Sequence, residues 1–115
     1  MMKLKYMWKN DCVADIEYDF MSRKVFVINY TDVIWKRPFG VHLDPSFQDF
    51  ENFLESRCFP KDRVNRDQLL EDMGLFAYSP YGIVKIMHGV QSDDYGWILF
   101  EDEDLDYERD IKLRD

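Results

Sequence analysis

The hydrophobic pattern of this chain changes its period near residue 40, and this change restricts the fold more than any other feature. Extended runs rich in β-branched and aromatic residues come first. They occupy residues 4–8, 12–18 and 24–30, with turns at 10–11 and 19–23. Such runs predict three strands of a small antiparallel meander. Pro38 and Gly40 then interrupt regular structure, so residues 33–40 are predicted to form a loop with one buried aromatic side chain.

Helical spacing begins after this loop. Asp44 followed by Pro45 supplies a capping side chain and a proline at the first helical position, where a backbone N–H is not needed. The apolar residues that follow recur every three or four positions: Phe47, Phe50, Phe53 and Leu54. The spacing predicts a helix that ends before Pro60 and packs one apolar stripe on a core.

A second helix has several start and stop signals. Asn65 is placed to cap it, with Gln68 reaching back and Val64 packing on Leu69, and Gly74 is placed to end it.

Residues 83–87 allow two interpretations. Ser79-Pro80 before them and His88-Gly89 after them favour a third helix, whereas their β-branched content also suits a strand. Residues 95–100 are short and apolar, which predicts a strand that returns to the meander. With the helix preferred, the fold class is α+β: a small antiparallel sheet, made of the N-terminal meander and the C-terminal strand, with two or three helices packed on one face.

Charge divides the chain at residue 100. The 115 residues include 15 Lys and Arg against 23 Asp and Glu, a net charge of −8. Residues 101–115 contribute −5, from eight acidic and three basic residues, so residues 1–100 carry −3. We expect a single α+β domain over residues 1–100 and an acidic C-terminal tail over 101–115. A negative net charge repels phosphate backbones and anionic bilayers, which argues against direct nucleic-acid or membrane binding.

The compartment follows from what the sequence lacks. No run approaches the roughly 18 apolar residues that a membrane helix needs, and charges interrupt the first ten residues, so we expect neither a signal peptide nor an anchor. Cys12 and Cys58 are too few for a disulfide framework, and we expect reduced thiols in a cytoplasmic protein.

The acidic tail allows two interpretations. A terminal acidic segment is most often solvated and frayed, but it can also act as an arm that imitates phosphate or binds a basic surface. Leu105, Ile111 and the Glu108/Lys112 pair would also suit a short helix. The acidic residues assigned to partner binding are Glu101, Asp102, Glu103, Asp104 and Asp106.

Residue types that carry catalysis are scattered. His42 and His88 lack metal-ligand spacing, and Cys58 has no base beside it and is expected to be a small half-buried thiol. The adjacent acids Asp93 and Asp94 favour a turn and strand cap over acid–base work. The sequence therefore predicts no catalytic residue, metal or cofactor.

Large aromatic residues offer another kind of site. Met7, Trp8, Phe20 and Trp35 can form an exposed patch for a partner, although most such residues fill cores. Of these we assign Trp35 to partner binding.

Two segments resemble a known family. FLESRCFPKDR at 53–63 is similar to a pattern of two bulky apolar residues, x-x-Arg-x-Ile/Phe-Pro-x-x-Arg, in the N-terminal segment of HipA-like kinase proteins of Firmicutes. GVQSDDYGWI at 89–98 is similar to the family's Gly-x-Ser-x-Ser-Asp-x-Tyr-Trp-Ile run, with Asp93 and Gly96 in place of its serine and tyrosine. The resemblance spans residues 13–99. Its signature residues here are Arg57, Pro60, Arg63, Asp94 and Trp97.

The signature residues also have a structural interpretation of their own. The guanidinium of Arg57 or Arg63 can bind helix-end carbonyls or pair bidentately with Asp94. An inward-facing Trp97 would pack on the apolar stripe of the first helix.

The kinase lysine strand, catalytic Asp loop and metal-binding Asp motif are not in this sequence. The resemblance therefore implies a free-standing module, similar to small subunits that dock on a separate kinase in split toxin–antitoxin systems, or a relative carried by a mobile element.

Three functions follow, in order of preference. The first is a non-enzymatic module that docks on a larger bacterial protein, kinase-like or a defence protein, and modulates it. The second is a phage or plasmid anti-defence inhibitor, anti-CRISPR-like, whose acidic surface occupies the nucleic-acid channel of a nuclease. The third is an enzyme with a dispersed site around His88, Asp93 and Asp94.

Overall fold

The elements follow in the predicted order in the computed structural model, which describes residues 1–112. The strands are β1 (Met2–Trp8), β2 (Asp11–Asp19), β3 (Lys24–Asn29) and β4 (Gly96–Phe100). The helices are α1 (Phe47–Ser56), α2 (Arg66–Asp72) and α3 (Pro80–Met87). A 3₁₀ turn lies at Ile34–Lys36 and a π-helical turn at Tyr107–Ile111. The α+β class is confirmed, and residues 83–87 are helical.

The four strands form one antiparallel sheet in the order β3-β2-β1-β4. The meander supplies the first three, and β4 returns beside β1, where Tyr6 faces Ile98. A bulge between Tyr6 and Met7 shifts the register of β1 on β2. Strands β3 and β4 are therefore the two edges of the sheet.

The inner face of the sheet carries the main core. Side chains of all four strands meet the apolar stripe of α1 and Val84 of α3 there. The predicted stripe is confirmed, because each of its four residues is buried. The largest fully buried core residues are Leu4, Ile16, Tyr18, Phe50, Leu54 and Ile98.

The outer face is half covered. Met7 of β1 and Trp97 of β4 pack there against Tyr107 and Ile111 from the π-helical turn. The backbone N–H of Tyr107 donates to Asn10 Oδ1 at 2.9 Å, which fastens the turn to the β1–β2 hairpin. Residues 101–112 therefore fold onto the sheet instead of fraying, because Tyr107 and Ile111 have apolar surface to bury; residues 113–115 of the predicted tail lie outside the described chain.

Local details differ from prediction at the starts of α1 and α2. Ser46, not Asp44, caps α1: its Oγ accepts from the N–H of Asp49, and Asp49 Oδ2 accepts from the N–H of Ser46. The Ser46–Asp49 capping box satisfies the N–H groups of both residues. Pro45 therefore precedes the cap and is not the first residue of the helix.

At α2, Asn65 holds the cap position without a side-chain bond, because its ψ of 32° is not the extended conformation that capping needs. Gln68 instead donates to Asp72, and Val64 is fully exposed, so the predicted contact with Leu69 is absent. Gly74 ends the helix with a φ of 76°, as predicted.

The loop before α1 contains the buried aromatic residue that was predicted, and it is Phe39. Among residues 1–112, no helix combines the length and apolar character needed to cross a bilayer.

Candidate functional site

Trp35 is the most exposed tryptophan of the chain, and its ring packs against a neighbouring tryptophan. Its side chain is 71% exposed, and its ring packs edge-on against Trp8, with 5.4 Å between the centroids. Trp8 in turn contacts Tyr95 edge-on at 5.9 Å. The name Trp35 surface is used below for Trp8, Lys9, Trp35, Lys36 and Tyr95.

The backbone around Trp35 is held by short-range hydrogen bonds. Arg37 Nε donates to the carbonyl oxygen of Thr31 at 2.8 Å, and Thr31 Oγ1 accepts from the N–H of Val33. The 3₁₀ turn adds bonds from the N–H groups of Lys36 and Arg37. The indole is therefore presented on an anchored loop, which lowers the entropy lost when a partner covers it.

Two lysines give this surface a positive rim. Lys36 Nζ lies 5.2 Å from the Trp8 centroid and 5.4 Å from that of Trp35, and Lys9 Nζ lies 4.5 Å from that of Tyr95. Beside Tyr95, a groove of about 500 Å³ continues between Gln91 and Glu108. An exposed indole, cations over aromatic faces and an adjoining groove suit a partner with an apolar anchor and acidic groups.

The acidic run lies elsewhere. In the antiparallel register Trp8 faces Gly96 and Leu4 faces Phe100, so Tyr95 and Glu101 stand at opposite ends of β4. The structure thus separates the predicted partner-binding acids from Trp35. The predicted patch of Met7, Trp8, Phe20 and Trp35 is also divided. Met7 is buried on the outer face and Phe20 packs on Phe47, so only Trp8 and Trp35 lie together.

The five predicted acids divide into two groups. Glu103 Oε1 accepts from the N–H of Phe100, and Oε2 lies 2.7 Å from His88 Nε2. Asp106 caps the π-helical turn by accepting from the N–H of Arg109. The carboxylates of Glu103 and Asp106 therefore already have hydrogen-bond partners within the fold. The other three of the five predicted acids, Glu101, Asp102 and Asp104, are exposed and make no ion pair among residues 1–112.

Arg57 and Asp94 form the predicted bidentate pair. Arg57 is 7% exposed, and its Nη1 and Nη2 donate to Asp94 Oδ2 and Oδ1 at 2.8 and 2.9 Å. Nε donates to the carbonyl of Gly89 at 2.9 Å and Nη2 to that of Gly96 at 2.7 Å. One side chain from the end of α1 thereby fixes both ends of the loop between α3 and β4.

The pKa of Asp94 reflects two opposing effects. Burial alone would raise it, but the hydrogen bonds and positive charge of Arg57 outweigh burial and hold the pKa below its ordinary value. Asp94 is therefore ionised and committed to the pair at neutral pH.

The other signature residues have different places. Pro60 and Arg63 are exposed, joined by a backbone bond from Arg63 N–H to the Pro60 carbonyl, and they take no part in the Arg57 cluster. Trp97 is fully buried, but on the outer face against Met7, Tyr107 and Ile111, so its predicted packing on the α1 stripe is wrong. In β4 alternate residues point to opposite faces, and Ile98 and Phe100 already take the inner one.

The residues considered for catalysis either pair with another side chain of the fold or are exposed to solvent. His88 faces Glu103, Asp94 faces Arg57, and Asp93 is exposed. Burial and the nearby charge of Glu55 raise the pKa of Cys58 to about 12, which leaves it a thiol. Residues 1–112 contain no group of three or more His, Cys, Asp or Glu that could hold a metal ion.

Sequence reasoning missed several exposed residues on the sheet. The local pattern predicts only a strand at Tyr95, and it does not distinguish the outward side chains of the β3 region from the inward ones. The sequence does contain a sign of this exposure, because residues 25–28 are apolar without interruption. Such a strand is apolar on both faces, so one apolar face is exposed unless another element or chain covers it.

The chain was also compared with known proteins. No family model, no curated protein and no solved structure matches it. The function proposed below therefore rests on the residues themselves.

Proposed function

We propose that this protein is a non-enzymatic binding module that docks on a larger bacterial protein through the Trp35 surface and modulates it. The observation that carries the proposal is a tryptophan left 71% exposed on an anchored loop, because burial of its large apolar ring by a partner would gain free energy. The resemblance to the HipA-like N-terminal segment suggests a kinase-like partner.

The chemistry of the Trp35 surface narrows the partner's face. Tryptophan and tyrosine dominate the centres of protein interfaces because they combine large apolar area with few rotatable bonds. Lys9 and Lys36 flank the rings, so the matching face is an apolar pocket with acidic groups at its rim.

Photo-crosslinking tests this in the native host. A benzoyl-phenylalanine at position 35 is expected to capture one larger protein. The matched control carries it at position 76, where Phe76 is fully exposed in the segment between α2 and α3. The captured protein, purified, should bind the Trp35→Ala variant at least about thirtyfold more weakly, the range of an interface hot spot.

The Phe76→Ala variant is the control for the affinity measurement. Phe76→Ala should leave the affinity unchanged. Equal capture from both positions, or equal affinity of the Trp35→Ala and Phe76→Ala variants, would overturn the docking site. A captured protein with kinase motifs supports the partner class that the resemblance implies, whereas a nuclease supports the second candidate.

The second candidate is an anti-defence inhibitor that places acidic groups in a nuclease channel. It is favoured by Glu101, Asp102 and Asp104, which are exposed at one end of β4 and unpaired within residues 1–112. Phosphate mimicry requires uncompensated carboxylates of this kind.

Charge neutralisation is the appropriate test, because deleting the segment would also remove the buried Tyr107 and Ile111. The triple variant Glu101→Gln/Asp102→Asn/Asp104→Asn should abolish inhibition of a susceptible nuclease and flatten its salt dependence. Neutralising three exposed acids elsewhere, Asp44, Asp62 and Glu71, is the matched control. Equal inhibition by both triple variants would remove this candidate.

A further inference from the structure

We infer that this chain forms a symmetric dimer by antiparallel pairing of its two β3 strands, with the two copies of Ile28 facing each other across the twofold axis. The pairing uses no residue of the Trp35 surface, so it stands or falls separately from the proposed function.

The first observation is the direction of the backbone groups of β3. The N–H of Tyr30 donates to the carbonyl of Val13 on β2, which makes Tyr30 a hydrogen-bonded position of that pair of strands. Because the pattern alternates, Phe26 and Ile28 also point their N–H and C=O groups at β2. Those of Val25, Val27 and Asn29 point to the free edge.

The second observation is that this edge is not protected in the usual ways. β3 contains no proline, its one charged residue is Lys24 at its first position, and its register on β2 is regular, without a bulge. Exposed edges of this kind pair with another strand unless something prevents it.

The third observation is an apolar row on the uncovered half of the outer face. Phe26, Ile28 and Tyr30 are 52%, 59% and 56% exposed. The acids beside them on β2 are neutralised by β1: Lys3 lies 3.6 Å from Glu17, and Lys5 lies 2.8 Å from Asp15. A second copy can therefore approach this row without meeting Asp15 or Glu17 as unpaired carboxylates.

The row is complementary to itself in one register. With Ile28 opposite Ile28, and with the pairing continued past Asn29, where β3 ends, Phe26 faces Tyr30 of the second copy and Lys24 faces its Asp32. The outward groups of Val27 and Asn29 then exchange hydrogen bonds, so the register agrees with the phase of the backbone. The even-numbered residues occupy non-hydrogen-bonded positions, where facing Cα atoms are only about 4.5 Å apart and side chains interact most closely.

Neighbouring registers lose this match. Moving the axis to Val27 places Lys24 opposite Tyr30, and moving it to Asn29 places Phe26 opposite Asp32. Lys24 makes no ion pair within residues 1–112, and Asp32 is fully exposed, with a long ion pair of 3.7 Å to Arg37 Nη2. A positive charge therefore lies at the start of β3 and a negative charge three residues past its end, where each can meet the partner copy.

Charge reversal tests the register. In sedimentation equilibrium the wild-type chain should show a dimer. Lys24→Glu and Asp32→Lys should each weaken dimerisation at least tenfold, and the double variant should restore it, because the swapped charges still face each other. Lys61→Glu and Asp62→Lys, at exposed positions remote from β3 in sequence, are matched controls and should leave the dimer unchanged.

A disulfide locates the axis. Ile28→Cys should give a covalent dimer on oxidation, because facing Cα atoms at that separation suit an S–S bond. Phe26→Cys should not, since its two copies are displaced by four residues, and the wild type controls for Cys12 and Cys58. A monomeric wild type at all concentrations would overturn the inference. So would a dimer that ignores Lys24→Glu and fails to crosslink at position 28.

Discussion

The guanidinium of Arg57 holds both carboxylate oxygens of Asp94, 37 residues along the chain, at 2.8 and 2.9 Å. The same side chain donates to the carbonyls of Gly89 and Gly96, so its hydrogen bonds reach both the loop after α3 and the first residue of β4. This cluster ties the end of α1 to the start of β4.

Removal of Arg57 should therefore be costly. Arg57→Ala leaves a partly buried carboxylate and two carbonyls without their donors, and we expect the free energy of unfolding to fall by about 3 kcal/mol. Urea denaturation measures it. Arg63→Ala, at an exposed arginine of the same segment, should change it by no more than about 0.5 kcal/mol. Similar losses for both variants would contradict the role of the cluster.

Acid should weaken the protein through Asp94. Its pKa is lowered in the folded state, so the pair contributes stability at pH values above the pKa of the unfolded chain. That contribution is lost progressively as the pH falls below the unfolded pKa and through the lower folded one.

The variant Asp94→Asn has no such charge to lose. Its free energy of unfolding should be lower at neutral pH and should decline less steeply with acid than that of the wild type. Asp15 and Asp49, whose pKa values are also lowered, keep a residual slope. Parallel curves for the variant and the wild type would contradict the assignment to Asp94.

Gly96 should not tolerate a side chain. A Cβ there would lie 2.3 Å from Tyr6 Oη, and the Tyr6 ring is itself buried against Phe53. We expect Gly96→Ala to destabilise the fold by about 1–3 kcal/mol, the range of overpacked sites, as measured by thermal or urea unfolding.

Adding Tyr6→Phe to Gly96→Ala should recover part of this loss, because it removes the clashing oxygen, whereas Tyr6 Cζ at 3.0 Å and Arg57 Nη2 at 3.1 Å remain close. A double-mutant cycle gives the coupling between the two positions. Simple additivity would show that another contact limits Gly96. Gly82→Ala, inside α3, should cause no comparable loss, because its Cβ would come no closer than 3.2 Å to another atom, the Oγ of Ser79, and alanine favours helix.

The C-terminal segment should contribute to stability. Ile111→Ala removes a side chain that is 6% exposed against Trp97, and we expect a loss of about 2–4 kcal/mol together with a shift of tryptophan fluorescence to longer wavelength. Glu108→Ala, on the exposed side of the same turn, is the control. Equal and small effects would mean that the turn does not stabilise the sheet.

Much of the fold was predictable from local chemistry. Period-2 runs with turn residues identified the strands, and the spacing of Phe47, Phe50, Phe53 and Leu54 identified α1 and its buried stripe. The Arg57–Asp94 pair was among the predicted possibilities, because a planar guanidinium matches a carboxylate. These features depend on neighbours in sequence or on the geometry of one pair of side chains.

Only the tertiary structure decided which surfaces are covered. Alternation along β4 shows that Trp97 and Ile98 face opposite ways, but the cover over Trp97 comes from Tyr107 and Ile111, and its Nε1 donates to the Lys9 carbonyl 88 residues away. Of the two aromatic residues at 33–40 in the loop before α1, Phe39 joins the core and Trp35 stays exposed. Burial is a property of the assembled surfaces, so a sequence reveals which residues can be buried, whereas long-range packing selects those that are.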